Sequence, residues 1–296
     1  MPKDCLLIVN PVAGGGSTLR KLPEVLRFIE AKSWNCRVFT SGHPGHAEEL
    51  TRKYAEKNLL IIAIGGDGTV NEVMRGALGS PSVMAIIPSG SGNDVASSLG
   101  ITKHNALDIL ASGTIKKVDV AFVNNEPFLG VASCGLDTEV NRTANRIPRL
   151  IKGAFLYTLA LVIAIVKYKP MEITISTPEK TYSEKIMLLA VGHGDRYGGG
   201  MKITPLAKRD DGLLDLCLVK SLSKWMLFVI FPKVFSGKHI KHPKVTYSQA
   251  ESIKIQGHGE VFADGDRKTQ LPAEYSLKSG LLQLLLPEQK AQIFSK

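Results

Sequence analysis

Cysteine is scarce in this chain. Cys5, Cys36, Cys134 and Cys217 stand far apart, with no CxxC pair among them. That spacing excludes the common zinc-ligand patterns, gives no reason to expect a disulfide framework, and fits a reducing cytoplasm. Apolar runs of membrane-spanning length are missing too. GAFLYTLALVIAIV at 153–166 has fourteen residues between Lys152 and Lys167; as a helix it covers roughly 21 Å, short of the roughly 30 Å hydrocarbon core. Asp4 interrupts the short apolar stretch at the N-terminus, so no signal peptide is expected. Neither GxGxxG nor GxxxxGKS/T occurs at the glycine-rich turns, which excludes the dinucleotide fingerprint and the Walker-type loop. Internal repeats and low-complexity tracts are absent. Nucleic acid is not an expected partner, because the basic residues are spread out and form no recognisable binding motif.

What is there is a basic, globular composition. The 296 residues are 44% apolar and 22% charged, with net charge +10 and pI about 9.4. That length suggests two domains. The charge favours anionic partners such as nucleotides or an acidic membrane face. Two segments bear on the membrane. The run at 153–166 and the patch WMLFVIFPKVF at 225–235, followed by the basic GKHIKHPK at 237–244, read either as core helices or as surfaces that touch a bilayer without crossing it.

Through residue 117 short apolar runs alternate with helical patterns. CLLIVN (5–10), NCRVFT (35–40), LLIIAI (59–64) and VMAIIP (83–88) read as strands. Residues 18–32, 47–57, 69–78 and 92–99 read as helices or helix starts. Such alternation implies a parallel, doubly wound sheet, with ligands beyond the carboxyl ends of the strands. The three glycine-rich turns at 13–16, 65–68 and 90–92 all follow strands at that edge. From 118 onward strand-like segments dominate, and only 138–168 and about 223–236 look helical, which predicts an antiparallel sandwich or open barrel. The expected domains are 1–117 and 118–287, with the tail 288–296 returning to the first.

The glycine turns suit phosphate, because backbone N–H groups can approach it with no Cβ in the way and the next helix adds its positive end. A plain strand–helix turn would read the same way. Asn93 and Asp94 fit a helix cap, yet capping does not explain why a second glycine loop, PSGSGNDVA (88–96), also carries a carboxylate. Carboxylates beside phosphate make sense when a hydrated Mg²⁺ lies between them, a role that suits Asp67 and Asp94. Asp210, Asp211 and Asp215 around Gly212 read as a hairpin corner or a divalent-cation loop. Asp264 and Asp266 flank Gly265, either as a hairpin turn or with one acid accepting a proton from a substrate hydroxyl.

Taken together, NPVAGGG (10–16), GGDGTVNEV (65–73), PSGSGNDVA (88–96), YGGGMKITPLAKRDDGLLDL (197–216) and ADGD (263–266) resemble the diacylglycerol kinase-like catalytic family. This family also contains sphingosine and ceramide kinases and many bacterial lipid kinases. The motifs occur in the family's order and cover nearly the whole chain. The resemblance implies a three-layer α/β domain of the NAD kinase/diacylglycerol kinase type, then a β-sandwich, with the active site in the cleft between them. It implies ATP held by Asn10, Pro11, Val12, Ala13, Gly14, Thr40, Gly65, Gly66, Asp67, Gly68, Thr69, Asn71 and Ser91. It makes Asp264 the general base. Asp266 stands where bacterial relatives carry a nucleotide-contacting Glu, a departure from the pattern. A structural Mg²⁺ maps to Asp211 with the carbonyls of Lys208 and Leu213, and Asp67, Asp94, Asp119 and Asp210 join it through waters. His193, where many relatives have Asn, is given no role.

The expectation is therefore an ATP-dependent lipid kinase of the cytoplasm, peripherally bound to the membrane where its substrate lies. Diacylglycerol is the leading substrate, giving phosphatidic acid for phospholipid biosynthesis, and a homodimer is the family habit. Sphingoid bases, ceramide and phosphatidylglycerol stay open as substrates. A non-catalytic lipid- or nucleotide-binding regulator is the alternative from outside the enzymes.

Overall fold

The computed structural model describes residues 4–146 and 154–288. The expected return of the tail falls outside these from 289 on, as does the stretch 147–153 of the helical segment. The chain divides into two compact units, one reaching Asp119 and resuming at Gly280, the other running from Val120 to Ser279.

In the first unit β1 (Asp4–Val9), α1 (Ser17–Ala31), β2 (Asn35–Thr40), α2 (His46–Tyr54), β3 (Leu60–Gly65), α3 (Asp67–Ala77) and β4 (Val83–Pro88) alternate. They are followed by the short helices α4 (Asp94–Ser98) and α5 (Ala106–Ser112) and by β5 (Thr114–Val123), which crosses into the second unit. β1, β3 and β4 are parallel neighbours and β2 lies at the edge beside β1. β3 and β4 are buried at every residue, as unbroken apolar strands covered on both faces should be. β2 is exposed or half-buried at every residue, as an edge strand can be.

The register of the edge pair corrects one expectation. Cys5 lies opposite Cys36, with Cα atoms 4.5 Å apart, and the two form a disulfide. Their separation of 31 residues hides the contact, because only the parallel pairing of β1 with β2 makes them neighbours.

The second unit adds β6 (Glu126–Phe128), β7 (Val131–Gly135), α6 (Leu136–Arg146), α7 (Ala154–Lys167), β8 (Met171–Ser176), β9 (Thr181–Gly192), β10 (Leu214–Lys220), α8 (Lys224–Val234), β11 (Val245–Ala250), β12 (Ile253–Gly257), β13 (Glu260–Ala263), β14 (Asp266–Gln270) and β15 (Ala273–Leu286). Its strand pairings are antiparallel. Side chains sort by the two-residue period: Leu214, Leu216 and Leu218 of β10 enter one core with Leu189 and Val191 of β9. Cys217, Val219, Leu188 and Ala190 point to the other face, where Ala164 and Ile165 of α7 and Leu227 and Val234 of α8 cover them. The segment 138–168, expected to be helical, holds α6 and α7 among the described residues.

β15 differs from expectation. LLQLLLP at 281–287 reads as a strand, but pairing begins eight residues earlier, at Ala273, through AEYSLKSG, whose outward positions are polar. Its first half pairs antiparallel with β12, while Gln283 and Leu284 run parallel to Val83 and Met84 of β4. That pairing is why the chain from Gly280 groups with the first unit and not, as the sequence suggested, with the second.

Candidate active site

At the carboxyl edge of the parallel sheet the first unit gathers the expected loops. The Asn10 N–H donates to the Ile64 carbonyl at 3.1 Å, and its side-chain amide donates to Thr69 Oγ1 at 3.1 Å. Asn10 Oδ1 accepts the N–H of Val12. The first loop is thereby tied to the start of α3. The Ser89 N–H donates to the Gly65 carbonyl at 2.8 Å. Gly14, at φ 57°, lies so close to Ser89 that a Cβ there would collide with its carbonyl oxygen, which also accepts the Ser17 hydroxyl. A Cβ on Gly90 would fall 2.5 Å from Gly66 Cα. The glycines are required first for backbone to meet backbone, and the meeting leaves Gly68 and Ser91 exposed at the rim. Pro11 and Ala13 are half-buried, whereas Val12, in the turn after β1, and Thr40, the last residue of β2, are exposed.

Asp67 opens α3, and its Oδ1 accepts the N–H of Val95 at 3.1 Å, capping a helix 28 residues away. The cap that the sequence assigns to Asn93 or Asp94 therefore comes from Asp67. Asn93, in the left-handed region at φ 60°, folds back instead and makes two 2.8 Å hydrogen bonds with the backbone of Gly90. A Cβ on Gly92 would lie 3.0 Å from Asp67 Oδ2 and 3.7 Å from Asp94 Oδ2, so both carboxylates border that glycine. Asn71 is buried, and neither polar atom of its side chain has a hydrogen-bond partner among the described residues. An orphaned amide costs about 1–3 kcal/mol per group, which an incoming polar ligand could recover. Asp119 Oδ1 accepts the Gly280 N–H at 3.0 Å.

The second unit holds Asp264 in a two-residue hairpin turn. Asp264 and Gly265 have φ of 51° and 90°, and Ala263 pairs with Asp266 across them, the backbone expected of Asp-Gly joining two right-twisted strands. The hairpin reading is thus right for the backbone, and the carboxylate does something further. Oδ2 accepts the Leu129 N–H at 2.8 Å; Oδ1 accepts those of Gly130 at 2.8 Å and Val131 at 3.2 Å. The Gly130 carbonyl is held in turn by the N–H groups of His193 and Gly194, at 2.9 and 2.7 Å. A carboxylate offers about four acceptor positions, so among the described residues one remains, on Oδ2. Burial pushes the Asp264 carboxyl above its ordinary value, opposed by these N–H bonds and by the charges of Arg209 and Lys268. Asp266 is exposed, with Lys268 Nζ 3.8 Å from its Oδ2.

Arg209 carries no signal in the motif reading beyond a basic residue among acids. Its Nη1 donates to the Leu129 carbonyl at 2.5 Å, and burial lowers its guanidinium to about 10 against the raising charges of Asp264 and Asp195. In the same loop Asp211 Oδ1 accepts the Leu213 N–H at 3.0 Å across Gly212, and Lys208, Asp210 and Asp211 are exposed. One carboxylate with the carbonyls of Lys208 and Leu213 is an all-oxygen donor set of the kind hard dications take. Among the described residues no three His, Cys, Asp or Glu side chains converge as a ready metal cluster, so any such site would depend on carbonyls and water.

The chain is similar to known proteins along almost its whole length. Residues 4–123 match the diacylglycerol kinase catalytic domain, and residues 130–286 match the YegS C-terminal NAD kinase beta sandwich-like domain. The chain is 31% identical over 283 residues to a diacylglycerol kinase of Staphylococcus haemolyticus, covering 93% of this chain and 86% of the relative. It is 29% identical over 292 residues to one of Mycobacterium tuberculosis, covering 95% and 94%. A crystal structure of a diacylglycerol kinase from Bacillus anthracis str. Sterne superposes with TM-score 0.74 at 25% identity, covering 97% of each chain. A second crystal structure from that strain, of a proposed diacylglycerol kinase, gives 0.82 at 29% identity, covering 97% and 96%. An α/β catalytic domain followed by a β-sandwich-like domain, matched in that order and aligned almost end to end with such enzymes, means that the chain belongs to the diacylglycerol kinase family and is a lipid kinase of that type.

Proposed function

We propose that this lipid kinase transfers the γ-phosphate of ATP to the free hydroxyl of diacylglycerol, giving phosphatidic acid, and that it does so with Mg²⁺ at a membrane surface. The observation that carries the reading is the Asp264 carboxylate, fixed by three backbone N–H groups with one acceptor position left. That position takes the proton of the lipid hydroxyl as its oxygen attacks the γ-phosphorus; the new P–O bond forms as the bond to the β-phosphate oxygen breaks and ADP leaves. Asn10 to Gly14, Thr40, Gly65 to Thr69, Asn71 and Ser91 hold the nucleotide in this reading, through loop amides at the helix starts. Asp266 is also assigned a nucleotide contact. The carbonyls of Lys208 and Leu213 with Asp211 would hold Mg²⁺, and Asp67, Asp94, Asp119 and Asp210 would bind its waters. When bound, the ion supplies charge neutralisation on the phosphates.

The test is one incubation of the purified chain with γ-labelled ATP, Mg²⁺ and a panel of lipids. Label in phosphatidic acid is the expected result. Label in a sphingoid base, ceramide or phosphatidylglycerol instead would replace the substrate, and nucleotide binding without any transfer would overturn the catalytic reading.

A further inference from the structure

Helix α8 is apolar on both sides but packed on one. Leu227, Ile230 and Val234 are buried, and Leu227 and Val234 belong to the core under the sheet. The opposite face carries Trp225, Phe228, Val229 and Pro232 at the i, i+3, i+4, i+7 spacing of a single helical stripe, all exposed. Trp225 is 82% exposed and Val229 55%. Val162 and Val166 are exposed on α7, and Lys224 Nζ donates to the Val166 carbonyl, joining the end of α7 to the start of α8. Phe235, 48% exposed, continues the patch beyond the helix. A contiguous apolar surface of this kind is not left to water without cost and marks a docking site.

The charges around it choose the partner. Between Ser221 and Ala250 the chain has five lysines, Lys224, Lys233, Lys238, Lys241 and Lys244, and no carboxylate. Between Ala154 and Pro170 it has Lys167 and Lys169 and again no carboxylate. A second copy docked on this face would bring lysines against lysines with no acid to answer them. An anionic bilayer answers both features at once, taking the apolar stripe into the headgroup boundary and the lysines onto its phosphates. Trp225 is suited to that depth, since indole places an apolar ring and an N–H donor together at such interfaces.

We propose that the outward face of α8, with the exposed end of α7, is the surface by which this chain docks on an anionic membrane, Trp225 and Val229 entering the headgroup boundary. The proposal deepens the lipid-kinase reading, resting on it only for the kind of partner. The test sediments the full chain with vesicles of phosphatidylcholine alone or with roughly a third phosphatidylglycerol. Binding should be about tenfold or more tighter to the anionic vesicles and should weaken with salt. Trp225→Glu should lower binding by about tenfold or more. Lys238→Glu with Lys241→Glu, on an exposed turn outside the packed helix, should weaken binding to anionic vesicles by about tenfold and flatten the salt dependence, leaving the weak binding to neutral vesicles as it was. Thermal melts check that each variant is folded, and the lysine pair carries the test if Trp225→Glu is not. The proposal is overturned if the parent binds neither vesicle, binds both equally, or is matched by the folded variants. It is also overturned if Trp225→Glu converts a dimer into a monomer while the parent ignores vesicles, which would make the patch a self-interface. Vesicle binding without phosphate transfer sinks the substrate reading alone; transfer to dispersed diacylglycerol without vesicle binding sinks the docking alone.

Discussion

Arg209 and Asp264 grip the two ends of one residue. Arg209 Nη1 donates to the Leu129 carbonyl at 2.5 Å, and Asp264 Oδ2 accepts the Leu129 N–H at 2.8 Å. The two side chains come from positions 55 residues apart (264 − 209), and neither motif reveals the other as its neighbour. Between them they hold the turn that supplies all three N–H groups to the Asp264 carboxylate.

Asp264→Asn tests the proposed base. The amide cannot take a proton, so turnover should fall by a factor of roughly 100 or more. Its NH₂ group must also face an N–H now bound by a carboxylate oxygen, which should cost about 1–3 kcal/mol of stability. Turnover and melting are therefore measured together; wild-type turnover in the variant would remove Asp264 from the reaction. A base works ionised, and the Asp264 carboxyl lies above its ordinary value. Activity should accordingly be lost, as pH falls, at a higher pH than for an ordinary aspartate.

Arg209 bears on that limb. Its positive charge lowers the Asp264 carboxyl toward ionisation. Arg209→Met should move the acid limb of kcat to higher pH, and Arg209→Lys should move it less, because charge is kept while the planar fork to Leu129 is lost. A loss of rate equal at all pH values in both variants would mean that Arg209 acts only by packing.

Asp67 has two separable tasks. Its carboxylate caps α4 through the Val95 N–H and, in the proposed function, binds water around Mg²⁺. Asp67→Asn keeps an acceptor for the cap and drops the charge. Stability should change by less than the roughly 0.5–2 kcal/mol of a lost cap, while the Mg²⁺ concentration for half-maximal rate should rise severalfold. An unchanged Mg²⁺ titration argues against the metal task.

The cap also marks where sequence reasoning stopped. Apolar runs with one period are local, so VMAIIP gave a strand whose observed bounds are Val83–Pro88, and the helix expected over 69–78 is found at Asp67–Ala77. The family resemblance placed Asp264 and the glycine loops in one lipid-kinase reading from their order alone. Pairings across the chain left no such trace. Asp67 with Val95, Cys5 with Cys36, and Arg209 with Leu129 are set by register and loop packing, which no window of residues contains. The polar first half of β15 was missed for a related reason: its outward positions Glu274, Ser276 and Lys278 dilute the apolar signal of Ala273, Tyr275 and Leu277.

Asp137 gives a pH dependence that does not involve catalysis. Burial raises its carboxyl from 3.8 to about 6, against the lowering hydrogen bond of the Thr138 N–H to Oδ1, and its Oδ2 has no partner among the described residues. The folded state thus holds this proton more tightly than the unfolded chain does. Its contribution favours folding below the unfolded value near 4 and is lost as pH rises through about 6. Two pH units correspond to at most about 3 kcal/mol, and relaxation around the group reduces that toward about 1 kcal/mol. Asp137→Asn removes the ionisation while keeping an oxygen for the Thr138 N–H. Urea unfolding should therefore find the variant more stable than the parent by about 1–3 kcal/mol at pH 7.5 and nearly equal to it at pH 4.5. A constant difference between the two pH values would show that Asp137 does not titrate on folding.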